Sequence, residues 1–573
     1  MRFSRELSDN FFGQEQLIER KTMKSKSNPI LVYIFAIAPF LAGLSQHYQI
    51  YIVTIISIIL LLSRRHHSEL KSIDLSVFVP LIIILISSAI TIVIGVSSGD
   101  SVYGFMNVVS AILFIVVLKS FSDSDKDEAF RVIPYVGAVM TVVTIIAYTI
   151  PGIRDLIWVN GRLGGTFGYP NTFALYLLIG LYIYLNSIGD KRRLIDYIVT
   201  LVLLVGIFLT GSRSVFVMTI ILSIYVIIIK KNTRKIYIPV LIGVVVIVGI
   251  YILVSNDLSS VGRFLTISTQ SSTFLGRILY DVDAVKMILN RPFGHGYLGY
   301  YFVEPFMQSG VYSVRFVHND WLQTALDYGV ISLLALGWLY GLSIYRANSQ
   351  RRIILILIGV HMLFDFDLQF FSILLIAMLC VSVRTNSDKD KGVIKLRGGH
   401  LFDVTIIAPS ICCMIMCVWL GVADFIGVNV DRQASLKLYP WANDVKLHAM
   451  AETEDIDLQR EYAAELQESV PYIGSAYDVL SQEDLDNGNV LEAIANKHKA
   501  VIYQKYNITK YEEYANMLRD IMDRYKGVND EIYHAALDAY IEIPDMLQSV
   551  EDETSSLAYK INDVPNFNLS NDY

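Results

Sequence analysis

One histidine and three arginines stand near the ends of apolar segments, where their side chains could move a proton and hold an anion. His318 and Asn319 come just before an apolar stretch, and a histidine at a helix start can act as a general base near neutral pH. Arg162 lies in a glycine-rich turn, Arg213 in a short turn between two apolar segments, and Arg277 in a long connection. Guanidinium groups present forked donors that suit phosphate oxygens, so these residues predict general-base chemistry beside an anion site.

Three further residues are candidates to support this site. Arg315 precedes the histidine by three positions, and Asn171 follows a proline at a helix start, where backbone N–H groups favour an anion. Asp365 lies between two apolar segments, where it could pair with an arginine or cap a helix. Each candidate has an ordinary alternative, because an arginine at this depth can anchor to lipid headgroups and a lone histidine can be a polar surface group.

One acidic pair superficially resembles a metal site. Asp281 and Asp283 lie in a stretch from Phe274 to Leu289 whose apolar residues recur with a helical period, as in a helix lying on a membrane interface. Residues two apart on a helix point in different directions, so they are poorly placed to share an ion. We expect no metal ion and no other cofactor.

The elements that must position these residues are membrane-spanning helices. Apolar residues make up 54% of the 573, and a spanning helix needs about 20 of them in succession. We predict an all-α, polytopic bundle of about 12–13 spans, near residues 30–44, 48–62, 76–96, 103–118, 132–150, 171–187, 194–210, 214–229, 236–254, 329–345, 353–366, 368–384 and 404–423.

Charge divides the chain into a basic membrane body and an acidic tail. Lys and Arg are concentrated in alternate connections, which predicts a cytoplasmic N-terminus and a large extracytoplasmic loop at 255–329. Residues 431–573 carry a net charge of −16, whereas the remainder carries +9. We therefore predict a cytoplasmic basic tail at 1–28 without a cleavable signal peptide, a membrane domain at 29–424, and a soluble extracytoplasmic domain at 425–573 in a cell-membrane protein.

The sequence pattern of the acidic tail predicts pairs of helices. Stretches from Ala434 to Asn443 and from Gly488 to Asn507 are similar to degenerate tetratricopeptide repeats, in which alanines and aromatic residues pack between paired helices. Such a domain could dock a glycan, an acceptor or a partner protein. A plain helical cap explains the same pattern.

Five sequence patterns, which lie between Arg162 and Phe366, resemble the O-antigen ligase and O-antigen polymerase superfamily. The family has a histidine, a small polar residue and, after nine positions, a glycine; His318, Asn319 and Gly329 fit this pattern. Ser332 is a mild departure, because the family prefers glycine, threonine or tyrosine at that position. The other matches are Arg162-Leu-Gly-Gly-Thr-Phe-Gly-Tyr-Pro-Asn171, Thr210-Gly-Ser-Arg213, Arg277 with Asn290-Arg-Pro-Phe-Gly-His-Gly296, and His361 with Asp365-Phe366.

The resemblance implies a GT-C-like membrane glycosyltransferase. Such an enzyme moves a glycan from a polyprenyl-diphosphate carrier to a hydroxyl of a glycan, lipid or protein acceptor on the outer face of the cytoplasmic membrane. His318 would be the base, and Arg162, Arg213 and Arg277 would bind the diphosphate without a metal. We expect the lipid bilayer, the donor and the acceptor as partners, and no nucleic acid.

Two other classes of function stay open. A transporter or flippase for lipid-linked glycans would place ionisable groups near the bilayer midplane, often in broken helices within internal repeats. A non-catalytic scaffold with a sensor tail leaves the outward arginines unexplained. Within the enzyme class, the sequence does not separate a polymerase from a ligase.

Overall fold

The computed structural model describes residues 29–189, 191, 193–255, 271–383, 393–395 and 400–570. The predicted basic tail at 1–28 and the first part of the long loop, 256–270, lie outside these residues.

The membrane body is a bundle of helices at the positions that the apolar segments predict. Its helices are α1 (Ile30–Ile37), α2 (His47–Ser63), α3 (Leu75–Ile94), α4 (Ser98–Leu118), α5 (Asp123–Ala147), α6 (Arg154–Ile157), α7 (Pro170–Ser187), α8 (Leu194–Thr210), α9 (Arg213–Ile229) and α10 (Arg234–Ser255). After the long loop come α14 (Val330–Arg346), α15 (Ser349–His361), α16 (Phe371–Cys380) and α17 (His400–Asn429). The prediction of an all-α polytopic protein is confirmed.

Four helices in the described residues are both long and apolar enough to cross a membrane: Leu75–Ile94, Ser98–Leu118, Asp123–Ala147 and Ile407–Asn429. Six shorter apolar helices of 10–17 residues accompany them. Their outer faces are uncovered, as on α9, where Ile221, Ile224 and Ile228 are more than half exposed. Soluble monomers rarely expose such continuous apolar faces, so these helices fit a lipid environment.

Helix α7 is the centre of the bundle. Every residue from Pro170 to Leu185 is buried, because α5, α8, α9 and α15 pack around it. Pro170 occupies the first helical turn, where a missing N–H costs nothing. Asn171 and Thr172 are therefore held in the same turn, at a fixed level of the bundle.

The long loop contains three helices, α11 (Ser272–Asn290), α12 (Gly299–Met307) and α13 (Asp320–Tyr328). The helix predicted over 274–289 is thus present, but its apolar residues do not form one interfacial stripe. Leu275 and Leu279 are buried against Ala558 and Ile561 of the tail, whereas Leu289 is exposed. The C-terminal segment therefore covers one side of α11.

The tail continues as seven helices: α18 (Arg432–Leu438), α19 (Asn443–Glu452), α20 (Ile456–Ser469), α21 (Gly474–Asp486), α22 (Val490–Ile502), α23 (Ile508–Tyr525) and α24 (Asp530–Glu553). Each packs against the next along the chain. Two small antiparallel sheets complete the described structure, one pairing β1 (Ser72–Asp74) with β4 (Val393–Lys395) and one pairing β2 (Trp158–Val159) with β3 (Arg162–Leu163).

Candidate active site

The carboxylate of Asp365 is the centre on which the candidate residues converge. The Tyr169 hydroxyl donates to its Oδ1 at 2.6 Å, and the Asn171 amide donates to its Oδ2 at 2.7 Å. Arg277 Nη2 lies 3.2 Å from Oδ2, and His318 Nδ1 lies 3.3 Å from Oδ1. Asp365 is fully buried, while Arg277 and His318 each remain 18% exposed at the side chain. The carboxylate is thus screened from solvent, whereas Arg277 and His318 remain accessible to a substrate.

The turn that carries Asp365 exists because α15 ends early. The sequence places a span at 353–366, but the helix ends at His361, and the chain passes through a turn before a short 3-10 helix at Asp367–Gln369. Asp365 therefore lies outside the spanning helix. It pairs with Arg277, and of the two contacts considered for it from the sequence, the arginine pair is the one that forms.

Arg162 joins the same cluster through Asn171. Its Nη2 donates to the Asn171 side-chain oxygen at 2.5 Å, and its Nε donates to the Thr210 carbonyl at 2.8 Å. The second bond ties the glycine-rich turn to the turn that precedes Arg213. Gly211 permits that tight turn because it adopts a positive φ of 59°, a conformation that side-chain-bearing residues disfavour.

A second buried carboxylate supports the Arg213 turn. His361 Nδ1 lies 2.5 Å from Asp367 Oδ2, and His361 Nε2 lies 3.0 Å from the Ser214 hydroxyl. Thr172 donates to the other oxygen of Asp367 at 2.8 Å. His361 and Asp367 are both fully buried, so this chain of contacts fixes the backbone beside Arg213.

The structure separates Arg315 from this cluster. Its guanidinium pairs with Asp444 in the tail at 2.7 Å, instead of turning toward His318. Asn319 is the N-cap of α13, where its side-chain oxygen accepts from the Leu322 N–H. Its amide lies 3.5 Å from Asp281, so Asn319 links the histidine-bearing turn to α11.

Asp281 and Asp283 diverge, as their spacing predicts. Asp283 is buried and accepts from the backbone N–H and hydroxyl of Ser309 and from the hydroxyl of Tyr312. Asp281 points toward Asn319. No group of three potential metal ligands occurs within the described ranges.

Electrostatics keep Asp365 charged despite its burial. Burial alone would raise the pKa of this carboxyl, but the Arg277 guanidinium and then His318 hold it well below its usual range. The pKa of Tyr169 is raised, first by burial and then by Asp365, so its hydroxyl stays protonated and donates. Burial also raises the pKa of Asp281 to about 6. An ionised Asp365 can accept the Nδ1 proton of His318, which leaves Nε2 of that tautomer able to take a proton from a substrate.

Residues 198–337 match the family model described as O-antigen ligase. This stretch forms an O-antigen ligase family domain. It runs from α8 into α14 and carries Arg213, Arg277 and His318. No curated protein matches the chain. The predicted family is confirmed, whereas the tetratricopeptide character of the tail stays a prediction. With its apolar helices, the chain is an O-antigen-ligase-like membrane enzyme of surface polysaccharide biosynthesis.

Several residues of the cluster were not predicted from the sequence as site residues. Tyr169 and Ser214 sit beside predicted site residues, and proximity in sequence was the signal available for them. Asp367 lies two positions after Asp365, but only the structure shows that it binds His361. Arg162 and Asp365 fall outside the residues matched by the O-antigen ligase model, although they contact the domain directly.

Proposed function

We propose that this enzyme transfers a glycan from a polyprenyl-diphosphate carrier to an acceptor hydroxyl on the extracytoplasmic side of the cell membrane. The observation that carries the proposal is the convergence of His318 and Arg277 on the buried, ionised Asp365. Glycosyl transfer to a hydroxyl is helped by a base that takes the hydroxyl proton and by positive charge beside the leaving group. Here His318, held by a carboxylate, supplies the base, and Arg277 supplies the positive charge.

His318 acts as the general base in this proposal. Asp365 orients the ring through Nδ1, and Nε2 takes the proton of the acceptor hydroxyl as that oxygen attacks the anomeric carbon. The C–O bond to the diphosphate breaks as the new glycosidic bond forms, and the diphosphate leaves with the bonding electron pair. Because the leaving group gains negative charge, cations beside it lower the barrier.

Arg162, Arg213 and Arg277 hold the diphosphate. The Arg162 guanidinium contacts the Thr210 carbonyl in the turn that leads to Arg213, and Arg277 reaches the same cluster from α11. Charge-assisted hydrogen bonds contribute roughly 1.5–3 kcal/mol each, and these cations take the place of the metal ion that other glycosyltransferases use.

An apolar cavity of about 200 Å³ lies among the helices of the membrane body. Leu81, Ile112 and Leu336 are among its lining residues, as are Met362 and Leu368, each three positions from Asp365 in the chain. This apolar lining suits part of the isoprenoid chain of the donor.

Transport of the same lipid-linked glycan is the competing function. In the structure the ionisable cluster gathers at helix ends and in the loop, with His318 before α13 and Asp365 after α15. A transporter site would lie at the bilayer midplane within broken helices, so the position of the cluster favours transfer.

The test separates donor binding from transfer with purified enzyme in lipid nanodiscs. His318→Ala should lower transfer by about 10²–10⁴-fold and leave binding of a polyprenyl-diphosphate glycan nearly unchanged. Arg277→Ala should weaken both, because the phosphates are held in the ground state and in the transition state. Transfer by the wild-type enzyme should persist in excess EDTA.

Two matched controls keep this experiment interpretable. His534→Ala removes an exposed histidine of the tail, and Arg154→Ala removes an exposed arginine next to the same turn as Arg162. Neither should alter transfer. Normal transfer by His318→Ala at equal folded protein would end its assignment as the base.

A further inference from the structure

A cavity of about 410 Å³ lies between the membrane body, the long loop and the tail. This volume is in the range of sites that bind small molecules, about 300–1,000 Å³. Phe366, which follows Asp365 in the chain, forms part of its wall, and the Phe366 ring lies 5.1 Å from the ring of His318. The cavity therefore lies close to the proposed base.

Charged residues of three different parts of the chain meet in this cavity. Asp100 comes from α4, Asp424 from α17 and Asp444 from α19, while Arg315 comes from the loop. Arg315 is neutralised by Asp444, and Arg432, which also lines the cavity, binds Glu452. Within the described part of the chain, Asp100 and Asp424 form hydrogen bonds but no ion pair. The lining thus has an excess of acceptor oxygens.

Aromatic rings supply the rest of the wall. Tyr103, Tyr297, Phe316 and Phe370 line the cavity together with Phe366. Oδ1 of Asp444 is buried and has no hydrogen-bond partner in the described residues, which is costly unless a ligand donates to it. Flat apolar rings beside carboxylate acceptors match a molecule that has both C–H faces and many hydroxyl donors, as a sugar does.

We propose that this cavity binds an uncharged sugar unit of the acceptor glycan and presents its hydroxyl to His318. The inference rests on the proposed glycosyl transfer, and it adds that the acceptor is itself a saccharide. An acidic sugar is disfavoured, because its carboxylate would face Asp424, which forms no ion pair in the described residues of this partly buried site. The tail then completes the acceptor site, since α18 and α19 form one wall.

Binding of two oligosaccharides of equal length tests the proposal without any donor. Saturation-transfer NMR on the purified full-length protein should detect neutral chitotetraose, and a much weaker signal from tetragalacturonate. Asp424→Asn should weaken chitotetraose binding about fivefold, because a neutral amide accepts a weaker hydrogen bond than a carboxylate. Asp424→Asn should also reduce the difference in affinity between chitotetraose and tetragalacturonate. Glu468→Gln, an exposed position on α20, is the matched control and should change neither.

The result is independent of the transfer assay. Absence of a chitotetraose signal, equal binding of tetragalacturonate, or an identical effect of Asp424→Asn and Glu468→Gln would overturn the acceptor site. Phe316→Leu provides a second variant, which should weaken chitotetraose binding by removing ring area while keeping an apolar wall. If chitotetraose binds as expected but the wild-type enzyme transfers nothing from the donor, the cavity assignment stands and the proposed transfer fails.

Discussion

Replacing Asp365 by asparagine should remove the carboxylate that orients the candidate base, His318. Four side chains approach the two carboxylate oxygens of Asp365, from Tyr169, Asn171, Arg277 and His318. Asparagine offers one oxygen and one NH₂ group. The NH₂ group cannot accept a hydrogen bond, so it would face donors that the second carboxylate oxygen now satisfies. It also removes the charge that balances a guanidinium with only 18% exposure.

Two magnitudes follow from this geometry. Removing one partner of a buried ion pair destabilises a protein by about 3–5 kcal/mol, and the complete burial of Asp365 puts this pair in that class. Turnover per folded molecule should fall by about 10²–10⁴-fold, because His318 loses the carboxylate that orients it. Donor binding should weaken less than turnover, since the arginines themselves remain.

Asp367→Asn is the matched control. Asp367 is equally buried, lies two residues away and also accepts from a histidine, but it contacts His361 and Thr172 instead of His318. Both variants should lose stability in a thermal unfolding assay. Asp365→Asn should lose far more turnover per folded molecule than Asp367→Asn, because Asp367 acts only through the backbone beside Arg213. Equal turnover per folded molecule in the two variants would refute a role for Asp365 in orienting the base.

Three other expectations can be tested independently. Ser313→Cys, exposed in the long loop, should react with an impermeant thiol reagent outside the cell, and Asn232→Cys in the basic connection should be protected; the reverse pattern would invert the proposed orientation. Burial raises the pKa of Asp281 from 3.8 to about 6, so the folded state binds its proton more tightly and stability should fall as the pH rises from about 4 to about 6. Asp281→Asn should flatten that slope in melting curves, and an unchanged slope would contradict the assignment. Ala558→Asp should lower transfer by loosening α11, because it buries a charge against the helix, whereas Val564→Asp at an exposed position should not; equal transfer in the two would show that the C-terminal segment does not position α11.

The positions of the helices were predictable because their signals are local. An apolar run and a helical period are properties of neighbouring residues, and they predicted both the bundle and α11. The boundaries were less accurate. The predicted span at 353–366 continues past His361, although the helix ends there, because apolar phenylalanines in the turn have the same hydropathy as residues of a span.

Some of the candidate site was also predictable. His318, Arg162, Arg213 and Arg277 were selected because they stand in connections that share one side of the membrane under simple alternation. Such reasoning places residues at one end of the bundle, but it does not say which of them touch. Arg315, three residues before His318, instead binds Asp444 in the tail.

The sequence by itself determined that this protein is an α-helical membrane protein with an O-antigen ligase family domain, since apolar periodicity and short motifs are written in consecutive residues. Only the tertiary structure decided that Asp365 is the shared partner, because its contact with Tyr169 joins residues 196 positions apart. It also decided that Asp100, in the first turn of α4, faces a cavity with Asp424 and Asp444. Such contacts between distant residues depend on how α7, α15 and the tail pack. That packing depends in turn on the shapes of all the buried faces together.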